Sequence, residues 1–285
     1  MTTYKIELLT SPADAPMIGK IKTDAFESST LSRYAFSWEG GGKAVVEKWY
    51  TDREEQDLQD PTQCTIISVS DSESTIDGDS DGAGSPEKNK NKNKNYHDHD
   101  RATDNNRIVA AWARFVIPHP TPKASDGTQE EPEYMKRKKY LVSNPPPGAH
   151  PELFTALREQ IAAARKKYLD EEKDYVLELI ATRPGFERQG HASRLLKWGI
   201  EKAEADNARI FLESTPAGLK LYERLGWRVV DTLRIKLADY GVDAEGDDGG
   251  YGLFYIMIRD PQGTTDTDLG NTDLGSEFKE SLINI

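Results

Sequence analysis

A single cysteine, Cys64, in 285 residues excludes any disulfide within the chain and gives no sign of an oxidising compartment. Long apolar runs are missing too. Nothing approaches the roughly 18 residues that a membrane span needs, and the opening MTTYKIELL lacks the apolar core of a signal peptide. The expectation is a cytoplasmic protein with no membrane partner, a nuclear location remaining open. Positive charge is also short: 37 Lys and Arg stand against 49 Asp and Glu, for a net charge of −12. That balance argues against a general nucleic-acid binder, whose affinity depends on many cationic contacts to phosphates.

Apolar residues are scarce in three stretches. Residues 71–106 are rich in Asp, Ser and Gly and contain KNKNKNKN, residues 118–150 hold a proline cluster, and residues 260–285 are mostly polar. Such segments bury too little apolar surface to offset their ordering entropy, so they are expected to be mobile. Setting them aside leaves roughly 190 residues, the size of one domain with one core. The expected organisation is a single domain over 1–259, with polar insertions at about 71–106 and 118–150 and a tail over 260–285. His97-Asp98-His99-Asp100 offers two imidazoles without cysteine or a supporting shell, so no metal site is expected. The tail's Asp-Leu-Gly repeat lacks the spacing of a calcium loop. Lys136-Arg137-Lys138-Lys139 reads first as a solvated charge run, with a nuclear-localisation or phosphate patch as the other reading.

The informative stretch runs from Tyr175 to Trp227. Val176, Leu177, Leu179 and Ile180 crowd into a strand over Tyr175–Thr182 that ends at Arg183-Pro184. Beyond a loop, Ala192, Leu195, Leu196, Gly199, Ile200 and Ala203 recur at helical spacing, predicting a helix from Gln189 or Gly190 to Asp206-Asn207. The first amides of that helix have no intrahelical acceptor and sit at the positive end of its dipole. Small residues at 190 and 192 let an anion such as pyrophosphate reach the main chain. Two fingerprints for such a loop are absent. Gly185 and Gly190 have the spacing of a nucleoside-triphosphate loop, but His191-Ala192 stand where Lys and Ser/Thr are required. For a dinucleotide site, Leu195 replaces the third glycine.

Arg188-Gln189-Gly190-His191-Ala192, followed by Ser193-Arg194-Leu195-Leu196, resembles the signature region of the GNAT superfamily, the acyl-CoA-dependent N-acyltransferases. Its pattern is Gln/Arg-x-x-Gly-x-Gly/Ala between a strand and a helix, and here the first position is Glu187. The run from Ser214 through Pro216 and Tyr222 to Gly226-Trp227 resembles the family's strand end, short helix and Tyr-x-x-x-Gly-aromatic exit. Pro216 suits a first helical turn and Gly226 a helix stop.

The resemblance implies an α/β (α+β) fold: a mixed, largely antiparallel central sheet flanked by helices and splayed at the signature strand. It implies acetyl-CoA as acyl donor, its pantetheine arm pairing with main chain at Leu179, Ile180, Ala181 and Thr182. The pyrophosphate would rest on the amides of Arg188, Gln189, Gly190, His191, Ala192 and Ser193. The acceptor would be an amine of a small molecule or a protein. A neutral amine attacks the thioester carbonyl, a main-chain N–H near Ile180 steadies the oxyanion, and a hydroxyl protonates the leaving thiolate. Tyr222 is the candidate general acid, or else a packing residue. Glu178 is the candidate base, or else a solvent-facing strand residue. Ser214 orients Tyr222 or the thiol, or else caps a helix. A non-catalytic acyl-CoA sensor or interaction module on the same fold is the rival reading.

Elsewhere in the chain, a strand is predicted over Tyr4–Leu9, helices over Asp14–Phe26, Lys43–Asp57 and Pro151–Leu169, and a strand pair over Thr65–Ser70 and Arg107–Ile117. Closing strands are predicted over Val229–Lys236 and Gly252–Arg259, the second apolar enough to be internal. Tyr34, Phe36 and Trp38 face the acceptor by resemblance, or pack on the core.

Overall fold

The computed structural model describes residues 3–71, 107–119, 131–244 and 247–262. His97 to Asp100, the KNKN tract and the Asp-Leu-Gly tail lie outside them. Seven strands form one sheet: β1 (Lys5–Leu9), β2 (Gln63–Asp71), β3 (Arg107–Val116), β4 (Tyr175–Thr182), β5 (Ile210–Ser214), β6 (Arg228–Lys236) and β7 (Tyr251–Arg259). Their order is β1-β2-β3-β4-β5-β7-β6. Every neighbouring pair is antiparallel except β4 with β5, which is parallel. The apolar β7 is internal, as its composition requires, and the expected mixed, largely antiparallel sheet is what forms.

Among the described residues seven α-helices accompany it: α1 (Ala15–Phe26), α2 (Thr30–Ala35), α3 (Gly42–Asp57), α4 (Glu133–Ser143), α5 (Pro151–Tyr168), α6 (His191–Ala205) and α7 (Pro216–Arg224). Strand alternation sorts the core onto the two faces. On one, Leu195, Leu196 and Ala203 of α6 and Tyr222 of α7 pack on Ile66, Phe115, Leu177, Ile210, Leu212 and Met257. On the other, Ile18 and Ile21 of α1 cover Ile67, Val69, Trp112 and Ala181, while Ala164 of α5 covers Val176, Phe211 and Ile256.

Two helices depart from expectation. α2 forms between the helices predicted over Asp14–Phe26 and Lys43–Asp57, where no element is predicted. Phe36, which comes directly after it, has its ring within 5.8 to 6.2 Å of Trp38, Trp49, Tyr50 and Phe154, so it is part of an aromatic core. Tyr34 packs beside Leu31 and Leu153, and Trp38 donates from its indole to the Ser32 carbonyl (3.0 Å). α4 lies within the segment read as a polar insertion. It buries Leu141, and its cations are ion-paired: Arg137 with Asp52 (3.6 Å), Lys138 with Asp57 and Asp60 (2.9 Å each), Lys139 with Glu131 (2.5 Å). Lys138 is the half-buried member, pinned between Asp57 and Asp60, while Lys136, Arg137 and Lys139 stay exposed, so most of the run is the solvated face that the sequence suggests.

Two features of β4 shape the centre of the molecule. Its pairing with β5 covers only Tyr175↔Ile210, Val176↔Phe211 and Leu177↔Leu212, after which the strands part into a fork. Its pairing with β3 also shifts, Phe115 facing Leu177 and Arg114 facing Leu179, so Glu178 is an extra residue in a bulge. A bulge bends the strand and reverses the inside-outside order of the residues beyond it. Hence Leu179 and Ala181 turn to the α1 face, and Ile180 packs toward α6. The fork is the splay expected at the signature strand.

Candidate functional site

Beyond Leu177 the edge of β4 that faces β5 has no strand partner, whereas Leu179, Ile180, Ala181 and Thr182 stay paired on the other side to Arg114, Ala113, Trp112 and Ala111. That edge is a template for an extended chain, because its main-chain groups require partners. The loop after Thr182 leads directly from the fork to α6.

The loop is held by its own atoms. A turn closes from the Phe186 amide to the Arg183 carbonyl (3.0 Å), Gln189 Nε2 donates to the Gly185 carbonyl (3.1 Å), and the Gly185 amide donates to the Glu187 carboxylate (2.7 Å). Arg194 folds back from α6, donating to the carbonyls of Gln189 (3.0 Å) and Gly190 (3.4 Å). Gly190 precedes α6 at φ +84°, and no side chain caps the helix. The amides of His191, Ala192 and Ser193 therefore keep the open donors of a helix start. Nothing lies within 4 Å of where a Cβ on Gly190 would sit, so the approach is clear. Arg188 holds φ +60°, a conformation that costs a non-glycine residue about 1–2 kcal/mol. Strain of this kind gathers at ligand loops.

The side chain of His191 turns away from the loop. It is 1 % exposed, its Nδ1 lies 2.9 Å from Ser68 Oγ, and Tyr4 meets the ring edge-on at 4.4 Å. Burial and the nearby Arg194 charge hold its pKa below the usual histidine value. Only its main chain lies with the open amides at the start of α6.

Tyr222 and Ser214 come together on the α6 face of the fork. A Cβ on Gly218 would stand 2.7 Å from the Tyr222 ring and 3.0 Å from Ser214 Oγ, so this glycine keeps open the space between them. Tyr222 is 7 % exposed and packs against Trp227 at 5.7 Å. Burial pushes its pKa well above the ordinary phenol value, so it is a proton donor at neutral pH. Among the described residues its hydroxyl has no hydrogen-bond partner. Ser214 donates to the Thr215 carbonyl (2.7 Å), and it is Thr215 that occupies the cap position of α7.

Glu178 lies on the opposite face. Its carboxylate takes a hydrogen bond from Arg165 of α5 (2.9 Å), so it is not a free solvent-facing residue. Burial works to raise its pKa, yet the Arg165 cation and hydrogen bond hold it below the usual carboxylate value. The structure thus divides the candidates into a hydroxyl face (Tyr222, Ser214) and a carboxylate face (Glu178). Arg165, which joins the candidate Glu178 to Glu213, escapes sequence reasoning because an arginine in a last helical turn reads as a dipole partner. Arg194 is missed as well; periodicity places it only on the outer side of α6. Among the described residues, no group of three or more His, Cys, Asp or Glu side chains is placed to hold a metal ion, and no helix is long and apolar enough to cross a membrane.

Comparison with known proteins agrees with this geometry. Residues 117–227, which contain the fork, the loop and α7, match the model of the Acetyltransferase (GNAT) family. The chain is similar in structure to arylalkylamine N-acetyltransferase 2 from Aedes aegypti, at TM-score 0.52 and 16% identity over 90% of this chain and 99% of that one. It is also similar to the C-terminal condensation domain of Ebony in complex with beta-alanyl-dopamine, at TM-score 0.51 and 10% identity over 91% of this chain and 100% of that one. No curated protein sequence matches significantly. The fold is the GNAT fold, and the general chemistry that the family match carries is acyl transfer to amines.

Proposed function

We propose that this chain, built on the GNAT fold, is an N-acetyltransferase that moves the acetyl group of acetyl-CoA directly to a primary amine. One observation carries the reading: an unpaired strand edge, an uncapped helix start and a buried tyrosine border one fork, where they can meet the pantetheine, pyrophosphate and thioester sulfur of a coenzyme A thioester. The residues fit that ligand. The edge from Glu178 to Thr182 accepts the pantetheine amides as an added strand, and the amides from Arg188 to Ser193 receive the pyrophosphate.

The acetyl carbonyl then lies at the bulge, where a main-chain N–H near Ile180 can donate to its oxygen as negative charge develops. The amine nitrogen forms the new C–N bond, the C–S bond breaks, and Tyr222 gives its proton to the departing thiolate and is restored by the proton that the new amide nitrogen loses. Ser214, bordering the same space, orients the sulfur or the phenol. The amine sheds its extra proton toward Glu178 on the opposite face. The arylalkylamine in the name of the Aedes aegypti protein supplies the first acceptors to test, with small diamines and peptide amino groups completing the panel.

Glu178 engaged by an arginine and Glu187 bound into the loop favour the rival, a coenzyme A thioester sensor without turnover. Thiol release from acetyl-CoA across the amine panel separates the two. Amine-dependent release with stoichiometric N-acetylated product is expected. Calorimetric binding of acetyl-CoA without release would leave the sensor, and no binding at millimolar concentration would remove both.

A further inference from the structure

The last paired residues at the mouth of the fork are Leu177 and Leu212, and the next residue on each strand is a glutamate. Val176 and Phe211, two positions before those glutamates, lie in the core beneath Ala164 of α5. Glu178 and Glu213 therefore emerge on that same face. Arg165, beside Ala164, spans the gap between them. Its Nε and Nη2 grip Glu213 in a two-pronged pair (2.7 and 3.0 Å), and Nη2 also donates to Glu178 (2.9 Å). Side by side, two carboxylates repel and one of them takes up a proton; a guanidinium between them removes that pressure.

We propose that Arg165 is a positioning residue: anchored on β5 through Glu213, it holds Glu178 ionised and aimed into the fork. This deepens the acetyltransferase reading and rests on it. The incoming amine arrives as an ammonium, one N–H bond breaks, the proton goes to the Glu178 carboxylate and on to solvent, and the electron pair stays on nitrogen for attack. Burial and the Glu178 charge raise the pKa of Glu213, while the Arg165 cation holds that of Glu178 below the usual carboxylate value, so Glu178 is the carboxylate that stays charged. Other charges also face Glu178: Arg53 and Asp57 from α3 and Arg114 from β3. They balance less directly, because among the described residues only Arg165 hydrogen-bonds to it.

The test uses two substitutions in the full chain. Arg165→Met removes the cation beside Glu178, and Glu213→Ala removes the anchor that holds that cation in place. Two readouts are taken: the carboxyl-carbon NMR titration of Glu178, identified by its loss in Glu178→Gln, and the acid limb of kcat at saturating acceptor, whose own titration is common to all variants. Arg165→Met should move both upward by about one pH unit or more, and Glu213→Ala should move both in the same direction by less. A Glu178 titration that stays put in Glu213→Ala overturns the proposal even if Arg165→Met does not fold. So does an acid limb that stays put while thermal stability falls. If the wild-type chain acetylates no amine, the acetyltransferase reading fails, and the NMR titration still decides the role of Arg165.

Discussion

Replacing Tyr222 with phenylalanine separates chemistry from architecture in a way that few buried substitutions allow. The ring is nearly enclosed, meeting Trp227 and bordering Gly218, and phenylalanine keeps all of that packing. Among the described residues the hydroxyl has no partner, so its loss leaves no buried donor or acceptor unsatisfied. The penalty of that kind, about 1–3 kcal/mol, is absent. Stability should change by less than about 0.5 kcal/mol, a shift in Tm within roughly 2 °C for a domain of this size. Catalysis should change far more. A general acid is worth about 100- to 10,000-fold, or roughly 2.7–5.5 kcal/mol of transition-state stabilisation. Because burial raises the phenol pKa, the donor form persists across neutral pH, so the loss should be uniform there. Initial rates of thiol release at saturating acetyl-CoA and acceptor give kcat, and single-turnover mixing ensures that product release does not mask the chemical step. A phenylalanine variant within twofold of wild type in single turnover would remove Tyr222 from the mechanism.

Three further outcomes are expected. Gly190→Glu, at φ +84° before the open amides of α6, strains the loop and sets a carboxylate against the diphosphate; calorimetry should find acetyl-CoA binding lost, and unchanged affinity would refute the phosphate cradle. Gly199→Ala would bring a Cβ to 2.2 Å from Phe115 Cζ, inside the core beneath α6. Overpacking of about 1–3 kcal/mol should lower Tm by roughly 2–12 °C, and a wild-type Tm would show that the core yields there. His191 has a folded pKa below the ordinary 6.5, so its stabilising contribution is complete above that value and is lost as pH falls from there through the folded pKa. Denaturant unfolding between pH 5 and 7.5 should show a shallower acid decline in His191→Gln; identical slopes would mean that the imidazole charges freely in the folded chain.

Elements with a clear apolar period can be read from the chain itself. β4, α5 and α6 form within two residues of expectation, and Gly190 stands at the predicted helix start, because hydrophobic alternation and helix-start chemistry are local. α4 is not legible. EYMKRKKYLVS has one buried residue, Leu141, and owes its place to Asp52, Asp57 and Asp60, which lie about eighty residues earlier in the chain. Glu178 stands out from strand alternation, but alternation cannot foresee a bulge. Its partner Arg165 comes from a different helix, and no spacing rule links the two. For Phe36 the sequence leaves two readings, an acceptor-facing residue by resemblance or a core residue, and its contacts with the rings of Trp49, Tyr50 and Phe154 favour the second.

The brief parallel contact between β4 and β5 makes the sheet two antiparallel plates on a short hinge line, β1 to β4 on one side and β5, β7 and β6 on the other. Few backbone hydrogen bonds join the plates, so they are held together by the core under α6, which spans both, and by the Arg165 bridge from β4 to β5. Amide protons along the hinge should exchange ahead of those between β2 and β3. A rod-shaped guest that adds a strand in the gap would stitch the plates together, making the whole molecule stiffer when loaded than when empty.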